Sequence, residues 1–181
     1  MAATPHDILH FWFEELTSKQ HFVKDPALDA EIRQRFGAKL EAAARCELFG
    51  WRGTPQGRLA EIVVLDQFSR NIFRDTARAF AQDPLALVLA QELVASGLDQ
   101  TLTSTQRAFA YMPYMHSESA LVQAESVRLF SQPGLESNLN FALRHQAIVV
   151  RFGRFPHRNA LLGLNSTAEE LAFLNEPGSS F

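Results

Sequence analysis

Four times in its first half the chain places a capping residue directly before a proline: Thr4-Pro5, Asp25-Pro26, Thr54-Pro55 and Asp83-Pro84. A Thr or Asp side chain accepts from the unpaired N–H groups of a first helical turn. Proline at the next position gives up only an N–H that would have been unpaired anyway. Each pair therefore marks a helix start, and apolar residues follow at helical spacing: Ile8, Leu9, Trp12, Phe13 and Leu16 after the first, then Leu28, Ile32, Phe36, Leu40 and Ala43 after the second. The pattern predicts helices over 5–18, 26–49, 55–68 and 84–96. A shorter one is expected over 104–111, stopped by Pro113, then one from a Ser117 cap to 131 and one over 135–152. A last helix starts at the capping box Ser166-Thr167-Ala168-Glu169 and ends near 175. No stretch alternates apolar and polar with β-branched enrichment. About eight helices with short corners make the chain all-α.

The 181 residues, 46% hydrophobic and 20% charged, suit a single compact domain over 1–181, and no linker-like segment divides them. A net charge of −3 argues against nucleic acid as a partner. Cys46 is the only cysteine, which leaves no internal disulfide and no cysteine-based zinc site. The N-terminus lacks the basic and apolar regions of a signal peptide, and no apolar run approaches the roughly 20 residues that span a bilayer. The expectation is a cytoplasmic protein without a membrane partner. Neither a glycine-rich phosphate loop nor a His-Glu-x-x-His zinc motif occurs, so no cofactor and no metal is expected.

The chemistry-bearing residues gather in Arg151-Phe152-Gly153-Arg154-Phe155-Pro156-His157-Arg158-Asn159, inside an acid-free region from Ser137 to Ala168 that also holds Arg144 and His145. Displacing the chain by 84 positions lays Phe68, Arg70 and Arg74 on Phe152, Arg154 and Arg158, and Asp83 on Thr167. Two helix pairs turning similar corners fit a helical-repeat array. Asp66 and Arg70 also stand four apart with the acid first, the favourable order on a helix. Arginine forks match carboxylate or phosphate oxygens two at a time. Arg70, Asn71, Arg74, His145, Arg151, Arg154, Arg158 and Asn159 are thus candidate ligand-binding residues. His116, Glu118 and His157 are candidate acid–base groups, because histidine titrates near neutrality. The competing reading makes the same arginines corner ties, bonded to helix-end carbonyls and internal carboxylates. It draws support from the repetition itself, since a repeated structural task calls for repeated residues.

Three motif segments, Asp66-Gln67-Phe68-Ser69-Arg70-Asn71-Ile72-Phe73-Arg74, Tyr111-Met112-Pro113 with His116-Ser117-Glu118, and Arg151 to Asn159 with Ser166-Thr167 and Glu169-Glu170, resemble a bacterial family of unknown function, domain of unknown function 924. The resemblance spans nearly the whole chain and implies an all-helical fold like tetratricopeptide repeats. It implies no reaction, cofactor or partner. Ser69 stands where that family typically has proline, and Leu164 where it has arginine.

The first functional reading is a groove lined by Arg and His that binds a small anionic metabolite or an acidic peptide end. The second is an enzyme, of hydrolase or lyase type, that uses His/Glu proton transfer on such a ligand. The third is a protein–protein interaction scaffold, supported by analogy of fold alone.

Overall fold

The computed structural model describes residues 3–180. Among them every regular element is helical: α1 (Pro5–His10), α2 (Pro26–Ala44), α3 (Pro55–Val63), α4 (Ser69–Ile72), α5 (Asp83–Ala95), α6 (Ser104–Met115), α7 (Ala120–Phe130), α8 (Glu136–Phe152) and α9 (Ala168–Phe173). Short 3₁₀ turns join several of them.

Three of the four cap–proline signals work as local chemistry dictates. Thr4 accepts from Asp7 N, Asp25 from Ala27 N and Leu28 N, and Thr54 from Gly57 N. The fourth does not. Asp83 is itself the first residue of α5, and Gln82 caps it without a side-chain bond. The carboxylate of Asp83 is engaged by arginines instead.

Helix ends differ from the expectations more than starts do. Helix α2 stops at Ala44 rather than 49, because Cys46 adopts a left-handed conformation at φ 59° that an α-helix cannot contain. Helix α1 passes into a π-turn over Phe11–Glu15 and is over by Leu16. Helix α6 runs through Pro113 to Met115. A proline in the last turn removes one donor only, and Tyr111, Met112, Tyr114 and Met115 hold the turn by burial. Ser119, not Ser117, caps α7, and Thr167 with Glu170 forms the box at α9. On α8, Ile148 and Val149 are buried, whereas Phe141 is exposed.

The central rod is α3. Its apolar stretch continues through a π-turn (Val64–Phe68) into α4, with every residue from Leu59 to Ser69 buried. Helices α1, α5 and α6 pack on α3, while the π-turn and α4 lie against α2. Helix α6 packs in turn on α7, and α7 on α8. Trp12 meets Phe68 and Phe109 edge-on inside the main core. A second small cluster, Ile148, Val149, Phe155 and Phe173, closes the far end. The seam between the two is where the polar residues converge.

No helix among the described residues is long and apolar enough to cross a membrane.

Candidate acid–base site

The π-turn in the central rod sets the geometry. One extra residue per turn shifts the phase of all later side chains by about 100° and widens the helix. Asp66 lies within that turn, fully buried. Its Oδ1 faces His116 Nδ1 at 2.8 Å and accepts from Arg70 Nη1 at 3.0 Å, and Oδ2 accepts from Gln67 Nε2 at 2.6 Å. Against the opposing effect of burial, the Arg70 charge and the hydrogen bonds from His116 and Gln67 hold the Asp66 carboxyl well below its usual range. An ionised acceptor makes Nδ1 the protonated nitrogen of His116 and leaves the lone pair on Nε2. Through Nε2 His116 bonds no described residue.

His116 closes α6, at the end of the turn that Pro113 did not break. Its imidazole is pulled below the ordinary histidine range, by burial first and then by Arg70, with Asp66 acting in the opposite sense. At neutral pH it is therefore uncharged and able to accept a proton at Nε2.

Two arginines frame the pair. Arg70 donates through both Nη atoms to Asp83, at 2.9 Å each. Arg158 reaches the same Asp83 at 3.3 Å and donates to the His116 carbonyl at 3.1 Å. The Arg158 guanidinium lies between the rings of Phe80, 4.5 Å away, and Phe155, 4.7 Å away. Its residue is 7% exposed, and its Nε is buried with no hydrogen-bond partner. Two further histidines complete the group. The His145 ring lies 6.4 Å from that of His116, and Phe155 stands between His145 and His157, 5.5 and 5.8 Å from them. Burial pushes His145 down to about 3, helped by His116, and pushes His157 down to about 4, helped by Arg158.

Of the residues singled out from sequence, Arg70, His116, His145, His157 and Arg158 come together here. Glu118 sits at the rim, where its carboxylate accepts from Phe155 N at 2.8 Å and so ties the 153–159 corner to the start of α7. The rest form the frame. Arg154 grips Glu170 with two bonds of 2.6 and 2.8 Å and also caps the Asn165 carbonyl. Asn159 donates to Ser166 Oγ. Arg151 pairs with Glu169 at the surface. Asn71 and Arg74 both bind Asp29, lining a separate open cleft of about 310 Å³ with Lys24, Arg33 and Asp75. So the acid-free segment finds its carboxylates elsewhere in the fold: Asp83, Glu118, Glu169 and Glu170.

Sequence reasoning passed over Asp66 and Asp83 as site residues. Asp66 was visible as the acid four before Arg70, and Asp83 as a helix cap. Neither role reveals that each serves two cationic or imidazole partners. Among the described residues no group of three or more His, Cys, Asp or Glu is placed to hold a metal ion.

A family model described as a bacterial protein of unknown function (DUF924) matches residues 8–178. A solved structure of a protein of unknown function from Agrobacterium tumefaciens is similar, with a TM-score of 0.90 and 40% sequence identity, covering 94% of this chain and 96% of the other. No curated protein matches.

Proposed function

Starting from a chain that belongs to the bacterial DUF924 family, we propose that it acts on a small anion-bearing metabolite, with His116 as the group that exchanges a proton. The observation that carries this reading is the 2.8 Å contact between His116 Nδ1 and buried Asp66. A carboxylate behind an imidazole fixes its tautomer, turns the free nitrogen outward and stabilises the imidazolium that forms when a proton is taken. Asp66 is in turn held by Arg70 and Gln67, so the dyad is preorganised rather than mobile. A purely structural histidine in a polar core has both nitrogens satisfied as a rule; this one engages one.

The structural task falls to Arg151, Arg154, Arg74, Asn71 and Asn159, all bonded within the frame. Ligand contact falls to the inner group of His116, His145, His157 and Arg158. A tetratricopeptide-like array belongs to the same proposal, carried by the motif resemblance and the mirrored corners.

The test is turnover. Purified protein is incubated with a panel of carboxylate and phosphate esters and small organic acids, and products are followed by proton NMR. A reaction of the wild-type chain that His116→Gln slows by about 10²–10⁴-fold, the usual size of a lost acid–base group, with the melting point kept within a few degrees, is the expected result. If every conversion seen with wild type persists at the same rate in His116→Gln, the proposal fails.

A further inference from the structure

We infer that Arg158 anchors the ligand through its Nε–H, that the anchored group is a carboxylate, and that it binds together with one proton taken up by the histidine cluster. This rests on the reading of His116 above and adds the ligand class and the linkage.

The anchor follows from the bonding of Arg158. Its Nη atoms are engaged by Asp83 and the His116 carbonyl, so the two-pronged Nη grip on an anion is already taken up. Among its further N–H groups, Nε–H is buried and without a hydrogen-bond partner. An unsatisfied buried donor on a charged group is costly to the fold, and a ligand oxygen relieves that cost. A single Nε–H beside a group of net charge −1 suits a singly charged carboxylate better than a phosphate carrying about two charges, and the rings of Phe80 and Phe155 fix the guanidinium plane that presents it.

The proton follows from the charge count. The central rod contributes Asp66 and Arg70, the start of α5 contributes Asp83, the α6–α7 connection contributes His116 and Glu118, α8 contributes His145, and the 153–159 corner contributes His157 and Arg158. Two cations face three carboxylates, leaving the group at −1 with its imidazoles neutral. Bringing a further anion into so buried a place without compensation is unfavourable. A solvent proton on one imidazole restores the balance. His116 is the one with an acceptor nitrogen bonded to no described residue and a carboxylate behind it to stabilise the cation.

The experiment titrates wild type, Arg158→Lys, Arg158→Gln and His116→Gln with acetate at pH 6, 7 and 8. Histidine side-chain NMR signals report both occupancy and protonation, and the melting point of each variant is recorded. Acetate does not itself titrate in this range. In wild type the affinity is expected to rise toward tenfold for each unit the pH falls, the limit for uptake of one proton. One histidine should move to its imidazolium position on binding. Arg158→Lys keeps the charge and loses Nε–H, and should bind at least about tenfold more weakly while remaining folded. Arg158→Gln should do the same where it folds. His116→Gln should still bind, without the pH slope. Equal affinity in Arg158→Lys and wild type overturns the anchor, and so does the absence of acetate binding to wild type. A wild-type affinity flat with pH overturns the linkage. Either failure leaves the turnover test of His116 unaffected, so the two readings fall separately.

Discussion

Arg70 and Arg158 converge on a single oxygen: Asp83 Oδ2 accepts from Arg70 Nη2 at 2.9 Å and from Arg158 Nη1 at 3.3 Å. The two arginines belong to different corners of the chain, one at the end of the central rod and one after α8. Asp83 therefore joins the corners as well as opening α5. As a helix-terminal carboxylate it would contribute about 1 kcal/mol. As the shared partner of two largely buried guanidiniums its loss should cost about 3–5 kcal/mol, because Arg158 is left uncompensated and Arg70 keeps only Asp66. Asp83→Asn measured by denaturant midpoint with an unchanged m-value decides between these. A loss near 1 kcal/mol would mean that the corners hold without it.

Acid sensitivity should start earlier than carboxylate chemistry alone dictates. Folding lowers His157 from the ordinary 6.5 to about 4 and His145 to about 3, with burial as the main cause. A group whose folded value is depressed favours the fold fully above its unfolded value and loses that contribution as the pH falls toward the folded one. The melting temperature should hold from pH 8 to about 6.5 and then decline steadily to pH 4. Each unit of depression corresponds to about 1.4 kcal/mol at most, so His157→Gln should flatten the decline measurably. A profile of wild type that stays level down to pH 4.5 would contradict the burial of neutral imidazoles.

The tautomer of His116 is directly observable. With Asp66 ionised, the proton sits on Nδ1, and a long-range nitrogen–proton spectrum should show that form at pH 7. Asp66→Asn replaces the acceptor with an amide that can donate toward Nδ1, which favours the opposite tautomer. The comparable change in a serine-protease triad lowers kcat by about 10⁴ through the wrong tautomer. Here the spectral switch is expected whether or not a substrate is in hand. An Nε2-protonated His116 in wild type would remove the basis for calling it a base.

Helix starts were legible in sequence because caps act within one turn: Thr4, Asp25 and Thr54 each bond two or three residues ahead. Helix ends were not, because they depend on backbone conformations such as the left-handed Cys46, which no residue type announces. The π-turn at Val64–Phe68 was hidden for another reason. In a segment apolar on every side there is no polar face whose phase could betray an inserted residue. The site was half visible. Arg151 to Asn159 stood out by its lack of acids, but its partners come from 75 positions away at Asp83 and 37 at Glu118. Such pairings exist only once the helices pack. Arg154 and Arg74 each grip a carboxylate, Glu170 and Asp29, while Arg158, the counterpart of Arg74, has a buried Nε without a hydrogen-bond partner.

Arg154 should separate structure from ligand binding. It grips Glu170, which is 2% exposed and also accepts from Thr167 N, and this pairing holds the Glu170 carboxyl down to about 2. Removing the guanidinium in Arg154→Gln leaves a carboxylate with one backbone donor in a confined place. Arg154 keeps a partly solvated side, so solvent screens the pair, and the variant should melt several degrees below wild type rather than fail to fold. Acetate affinity should not change, because Arg154 has no part in the inner group. The double variant Arg154→Gln/Glu170→Gln should recover part of the loss, since a neutral amide needs no counter-ion while still accepting from Thr167 N. If the double variant is as unstable as Arg154→Gln, the packing of the arginine stem rather than the charge pair holds the corner. If acetate binding weakens alongside stability in Arg154→Gln, the division between frame and site is drawn in the wrong place.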